Sequence, residues 1–161
     1  MTSLTWSTRL THSAVSPRRA PDRDEWSVTL LRAVSAGGGF TEAEKVVPGQ
    51  VRRAAAVELR FWGLQSLVES VSLLLSELVT NAYQHAGGDH VIVRLIRTDT
   101  FIRIEVGGPG ARPPVLRDAV SLEESGRGLV LVNALAEDWG FSEERSAVWC
   151  ALRVRVGGAP S

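Results

Sequence analysis

The sequence predicts an α+β fold: a two-layer sandwich with helices on one face of a mixed, mainly antiparallel sheet. Two patterns carry that prediction. Between Ser66 and Gly87, apolar residues recur at helical spacing, with Leu67, Val71, Leu74, Leu75, Leu78 and Ala82 on one stripe. Downstream the period changes to two. Val91, Val93 and Leu95, then Ile102, Ile104 and Val106, alternate with polar neighbours across the short link Thr98-Asp99-Thr100, which makes a β-hairpin.

The remaining elements follow in order. Residues 1–24 are rich in Ser, Thr, Arg and Pro and lack periodicity, so 1–35 reads as a flexible arm ahead of one domain over 36–157, with a loose tail at 158–161. Within the arm, Trp26–Val34 is apolar enough for a strand or a helix, and the pattern does not choose. Glu44–Val47 reads as a strand. Pro48 precedes a helix from about Val51 to Trp62, closed by Gly63, with Val51, Ala54, Ala55, Leu59 and Trp62 inside. Gly107–Pro114 is a Gly/Pro loop, and Leu116–Ser125 is irregular or briefly helical. A short helix over Leu129–Leu135 opens from Gly126-Arg127-Gly128. Trp139–Phe141 and Ala147–Val156 form a second hairpin around Glu143-Glu144-Arg145.

Composition narrows the function. A chain of 161 residues can bury a real core in one domain. Its 18 basic residues, all arginine except Lys45, balance 18 acidic ones, so direct nucleic-acid binding is not expected. Cys150 is the sole cysteine, which rules out an internal disulfide and reads as a small buried residue. There is no membrane-length apolar run and no signal peptide, so the expected location is cytoplasmic.

The long helix carries the chemistry. Glu77, Asn81 and His85 fall four apart and stack along one edge of its apolar stripe. Alone, that spacing is common on a solvated helix border. The string around it, "SELVTNAYQHAG", resembles the N-box of the GHKL ATP-binding superfamily, and within it the anti-sigma-factor serine kinase-like regulators typical of actinobacteria. A second box agrees: "ESGRGLVLVNALAEDWG" at 124–140 is similar to the family's second glycine region, and "AVWCALRV" at 147–154 to its final strand. The resemblance spans roughly residues 42–156 and implies the Bergerat-type sandwich, with ATP and Mg2+ as cofactors.

Residue by residue, the resemblance makes Glu77 the general base and Asn81 the Mg2+ ligand. It gives His85 a place at the end of the motif, where closing the helix is the favoured role over packing beside nucleotide. Gly126, Arg127, Gly128 and Leu129 match the phosphate loop. Glycines there let backbone N–H groups approach an anion at a helix start. Arg127 either neutralises a phosphate or points to solvent.

The first glycine box departs from the family. Where the pattern has an apolar strand and then Asp-x-Gly, this chain reads Ile104-Glu-Val-Gly-Gly-Pro-Gly110, so Gly108 replaces the adenine-reading Asp, with Gly110 in register. The supporting Thr of the last strand is replaced by Ala147. Neither substitute can hydrogen-bond through its side chain. Weak, poorly base-selective nucleotide binding is the expectation, with Gly108→Asp and Ala147→Thr together restoring adenine preference. The resemblance implies a sigma factor or a STAS-domain anti-anti-sigma protein as partner, phosphorylation of the latter on Ser or Thr, and a possible homodimer. The alternative is a pseudokinase-like module that binds protein without nucleotide. A histidine-kinase catalytic domain fits less well, since neither His12 nor His90 lies on a helix suited to phospho-acceptance.

Overall fold

A computed structural model describes residues 23–32, 41–85, 87–113 and 127–155, without the side chains of 127–129. Five strands form one open sheet in the order β1-β2-β3-β5-β4. They are β1 (Asp24–Leu31), β2 (His90–Arg97), β3 (Phe101–Gly107), β4 (Asp138–Ser142) and β5 (Ala147–Arg153). Every pairing is antiparallel, so the mixed sheet expected from the sequence has no parallel member among the described residues. Among the described residues, three α-helices accompany it: α1 (Val47–Phe61), α2 (Val68–His85) and α3 (Arg127–Leu135).

Both expected hairpins form. Ile102 lies opposite Arg97 and Val106 opposite Val93. This register puts Val91, Val93, Leu95, Ile102, Ile104 and Val106 on one buried face. Cys150 and Leu152 of β5 join that core, as do Val28 and Leu30 of β1. Burial pushes the Cys150 thiol up to about 12, which fits the inert role read from the sequence.

The strand option holds for the segment that periodicity left open. Asp24–Leu31 pairs with β2 along its whole length, which builds this part of the predicted arm into the sheet. A three-residue apolar alternation, Trp26, Val28 and Leu30, is too short to be decisive by itself. Pairing with β2 supplies what the pattern lacked.

Two expectations are corrected at the start of α1. Glu44–Val46 is a 3-10 turn and not a strand, and α1 begins at Val47, a turn before Val51. The cause is a capping box. Thr41 Oγ1 accepts from the Glu44 N–H at 3.2 Å, and Glu44 Oε2 accepts from the Thr41 N–H at 3.0 Å. Pro48 then sits inside the first helical turn, where its missing N–H costs nothing. The other end is as expected. Gly63 has φ +74, and the bonds Leu64 N–H to Leu59 O and Gly63 N–H to Arg60 O close a Schellman motif.

The α2 stripe is wider than the sequence suggested. Val71, Leu74, Leu75 and Leu78 are buried as expected, and Val79 and Tyr83 extend the stripe sideways, while Leu67 and Ala82 are only partly buried. α1 packs against α2 and buries Val51, Ala55, Ala56 and Leu59, with Trp62 just beyond its end. Val132 of α3 enters the same core.

Because Leu75 has no exposed surface, Leu75→Ala should lower unfolding free energy by about 2–5 kcal/mol in urea titration. A loss below about 1 kcal/mol would mean that α2 is not packed on the sheet as described.

Candidate functional site

The site starts from what α2 must bury. At about 100° per residue, Ser72 and Ser76 follow one border of its apolar stripe, and Glu77, Asn81 and His85 follow the other. Ser76 faces α1, since its Oγ accepts from Arg52 Nη1 at 3.3 Å. The middle of the stripe meets β2 and β3. α3 also packs against α2. Glu77 and Asn81 are half-buried on α2, and His85 is exposed at the helix end. Two polar groups thus stand at the rim of the core, on the helix against which α3 packs. Gly126 lies outside the described residues. Arg127, Gly128 and Leu129 form the first turn of α3.

The first glycine box is built differently from a binding loop with room to spare. A Cβ at Gly108 would lie 2.5 Å from the His90 carbonyl oxygen, and one at Gly88 would lie 2.5 Å from Pro109 O. Gly110 takes φ +78 and passes beside Gly87. The loop after β3 therefore crosses the loop after α2 backbone to backbone. Gly108 N–H donates to Ser146 O at 3.1 Å, which ties the crossing to β5. The obstacle to a side chain at 108 is contact with the start of β2 rather than a left-handed backbone.

Ala147 opens β5 opposite Gly107 and shares a strand face with Trp149 and Ala151, opposite Val148, Cys150 and Leu152. Gly108 follows the end of β3 and adjoins β5 through its bond to the Ser146 carbonyl.

Glu105, beside the glycine box, lies on the strand face opposite Ile104 and Val106. It faces away from the helices and is 3% exposed. Arg103 Nε donates to Oε1 at 2.8 Å and Arg145 Nη1 to Oε2 at 3.0 Å, with Arg94 at 3.9 Å. Arg103 also stacks 4.2 Å from the Trp149 ring centroid. This carboxylate is fully engaged and cannot replace an adenine-reading Asp.

One cluster beside the site escaped sequence reasoning. Arg32, just past β1, donates through Nη2 to the Tyr83 carbonyl at 2.7 Å and lies 5.0 Å from the Tyr83 ring centroid. Its Nε is 3.9 Å from Glu44 Oε1. Only the Thr-x-x-Glu spacing at 41–44 hinted at this group; the Arg32 contact spans 51 residues and leaves no local signal.

Among the described residues, no three His, Cys, Asp or Glu side chains gather to hold a metal by themselves. A cation at Asn81 fits only if phosphate oxygens and water complete its shell, which is how Mg2+ is ordinarily held beside a nucleotide. No helix among the described residues is long and apolar enough to cross a membrane.

An open antiparallel sheet with helices on one face, and a carboxylate and an amide four residues apart on the central helix, is the frame of an ATPase domain. The family model of the histidine kinase-like ATPase domain matches residues 41–152, and the chain belongs to that family, within the GHKL superfamily. The family is a nucleotide-binding one. None of the curated proteins matches the chain significantly.

Two predictions follow from this geometry. Gly88→Ala and Gly108→Asp should each destabilise by about 1–3 kcal/mol through overpacking, whereas Gly87→Ala, with nothing within 4 Å of its Cβ, should stay within about 0.5 kcal/mol of wild type. Thermal unfolding of the three variants checks this, and a Gly108→Asp variant as stable as wild type would contradict the crossing. Tyr83 is the sole tyrosine, so tyrosinate absorbance reports on it alone. Burial, reinforced by Glu44 and opposed by Arg32, pushes its phenol up to about 12 from 10.0. Its contribution to stability should be constant below about pH 10 and fall as pH rises from there toward 12, because the unfolded chain ionises first. A native titration midpoint near 10 would show Tyr83 to be solvated.

Proposed function

We propose that this chain is an ATP-binding regulator of the anti-sigma type, with serine/threonine-protein kinase activity toward a STAS-domain partner. The observation that carries this reading is the pairing of Glu77 with Asn81, half-buried four residues apart on α2, the helix against which α3 packs. Phosphoryl transfer needs positioning, charge neutralisation and a proton acceptor more than covalent chemistry. Glu77 supplies the acceptor for a protein hydroxyl. Asn81 offers a hard amide oxygen for Mg2+, the ion that would neutralise the phosphates when bound. The glycine turn at 126–128 would place backbone N–H groups against those phosphates. His85, exposed at the end of the helix, closes the motif.

A second reading has its own observation. The position of the adenine-reading Asp is Gly108, and the His90 carbonyl leaves no room for a side chain there. A lost base contact costs about 1–3 kcal/mol, or one to two decades of affinity. If the lost contact is decisive, the chain acts as a nucleotide-independent module that holds a sigma factor or its antagonist. The kinase reading is preferred because the charged and metal-binding positions on α2 remain in place.

Glu77→Gln separates the two. Gln keeps the shape of the side chain but cannot take the proton. Transfer of phosphate from ATP to a STAS-domain protein should nearly vanish in the variant, while affinity for that protein stays almost unchanged. Equal transfer by both forms would dismiss Glu77 as the base. Absence of transfer by wild type, with partner binding intact, would establish the binding module.

A further inference from the structure

We propose that Arg32 is a positioning residue for the α2 site, holding the last turn of the helix, and with it Asn81, in place. The proposal rests on the reading of Asn81 as the metal-binding amide. Its basis is how Arg32 straddles the turn between α2 and β2. Its backbone N–H donates to Asp89 O at 2.8 Å, after the turn, while its Nη2 donates to Tyr83 O at 2.7 Å, before it. Tyr83 lies two residues beyond Asn81. Its carbonyl belongs to the last helical turn, where carbonyls lack intrahelical partners and the helix end is negative. A guanidinium is suited to both needs: it gives a charge-assisted hydrogen bond and offsets the helix dipole.

The guanidinium is itself held. Its side chain is 9% exposed, and the Glu44 carboxylate, 3% exposed, faces it from the 3-10 turn before α1. Glu44 is fixed in turn by the Thr41 N–H. The Tyr83 ring lies against the Arg32 guanidinium. The clamp thus joins the edge strand, the start of α1 and the end of α2. The Gly87-Gly88 segment that Arg32 spans is the one that crosses Pro109-Gly110. Freed from Arg32, the end of α2 could shift against that crossing, and Asn81 would lose its fixed place.

The test uses the full chain with Arg32→Ala and Arg32→Lys. Arg97→Ala is the control; it breaks a more exposed pair, Arg97–Asp24, on the same β1–β2 ladder. Two quantities are read: amide exchange over residues 79–88, and ATP affinity with Mg2+ and with EDTA. Arg32→Ala should speed exchange in the last turn of α2, because the Tyr83 carbonyl loses its partner. It should weaken ATP binding about tenfold in Mg2+ and leave it nearly unchanged in EDTA. Arg32→Lys, which keeps the charge without the planar fork, should fall between, and it carries the test if Arg32→Ala does not fold. The control should resemble wild type throughout.

Unchanged exchange overturns the clamp. Equal weakening with and without Mg2+ overturns positioning in favour of a merely structural role. A wild type that binds no ATP at all overturns the reading of Asn81, and Arg32's role toward it. That failure is distinct from failure of the clamp, because exchange is measured without nucleotide.

Discussion

The burial of α2 against the sheet is the constraint from which the rest follows. Its stripe of Val71, Leu74, Leu75, Leu78, Val79 and Tyr83 is enclosed by the sheet, α1 and the core that Val132 of α3 joins. Packed side chains of this kind do not tolerate rotation of the helix, since a turn of one residue would carry Glu77 or Ser76 into the core. The rotational setting of α2 is therefore fixed by apolar contacts. The polar groups on its border inherit their positions from that setting. The chemistry proposed for Glu77 and Asn81 would need no loop to aim it, because the core sets their direction.

The helices, hairpins and long polar-bordered stripe were legible because each depends on a short period. The α2 pattern repeats over five turns, and the β2–β3 alternation matches its register residue for residue. The parts that escaped depend on contacts between distant residues. β1 forms because β2 offers it a partner, and its own alternation is brief. Glu44–Val46 looked extended until the reciprocal bonds with Thr41 turned it. The Arg32 contact with Tyr83 has no sequence period at all. At the candidate site, the string on α2 singled out Glu77 and Asn81, and the structure adds that both are half-buried. The close approach at Gly108 required coordinates.

Four glycines shape the backbone around the first glycine box. Gly88, Gly108 and Gly110 permit two loops to cross in backbone contact, and Gly107 meets Ser146 and Ala147 just as closely. Ser146 reaches φ 46 where β5 begins, and its carbonyl accepts from Gly108. The replacement of an Asp by glycine is therefore not an isolated vacancy in the sequence. It belongs to a packed crossing, and the surrounding backbone has taken the space in which a carboxylate would stand. Changes that rebuild base recognition must move the start of β2 as well as alter residue 108.

The face of the sheet that the described helices leave bare is organised by Glu105. One carboxylate is shared among Arg94, Arg103 and Arg145, while Arg153 pairs with Glu137 and stacks near Phe101. Bare sheets of this width invite a second sheet to lie on them at about 10 Å. Here that approach would strip water from guanidinium groups that hold only part of their hydrogen-bonding capacity inside the chain, an expensive exchange. Charge on this side thus takes the part that a second helical layer plays in three-layer folds. It lets a thin sandwich keep one surface wet.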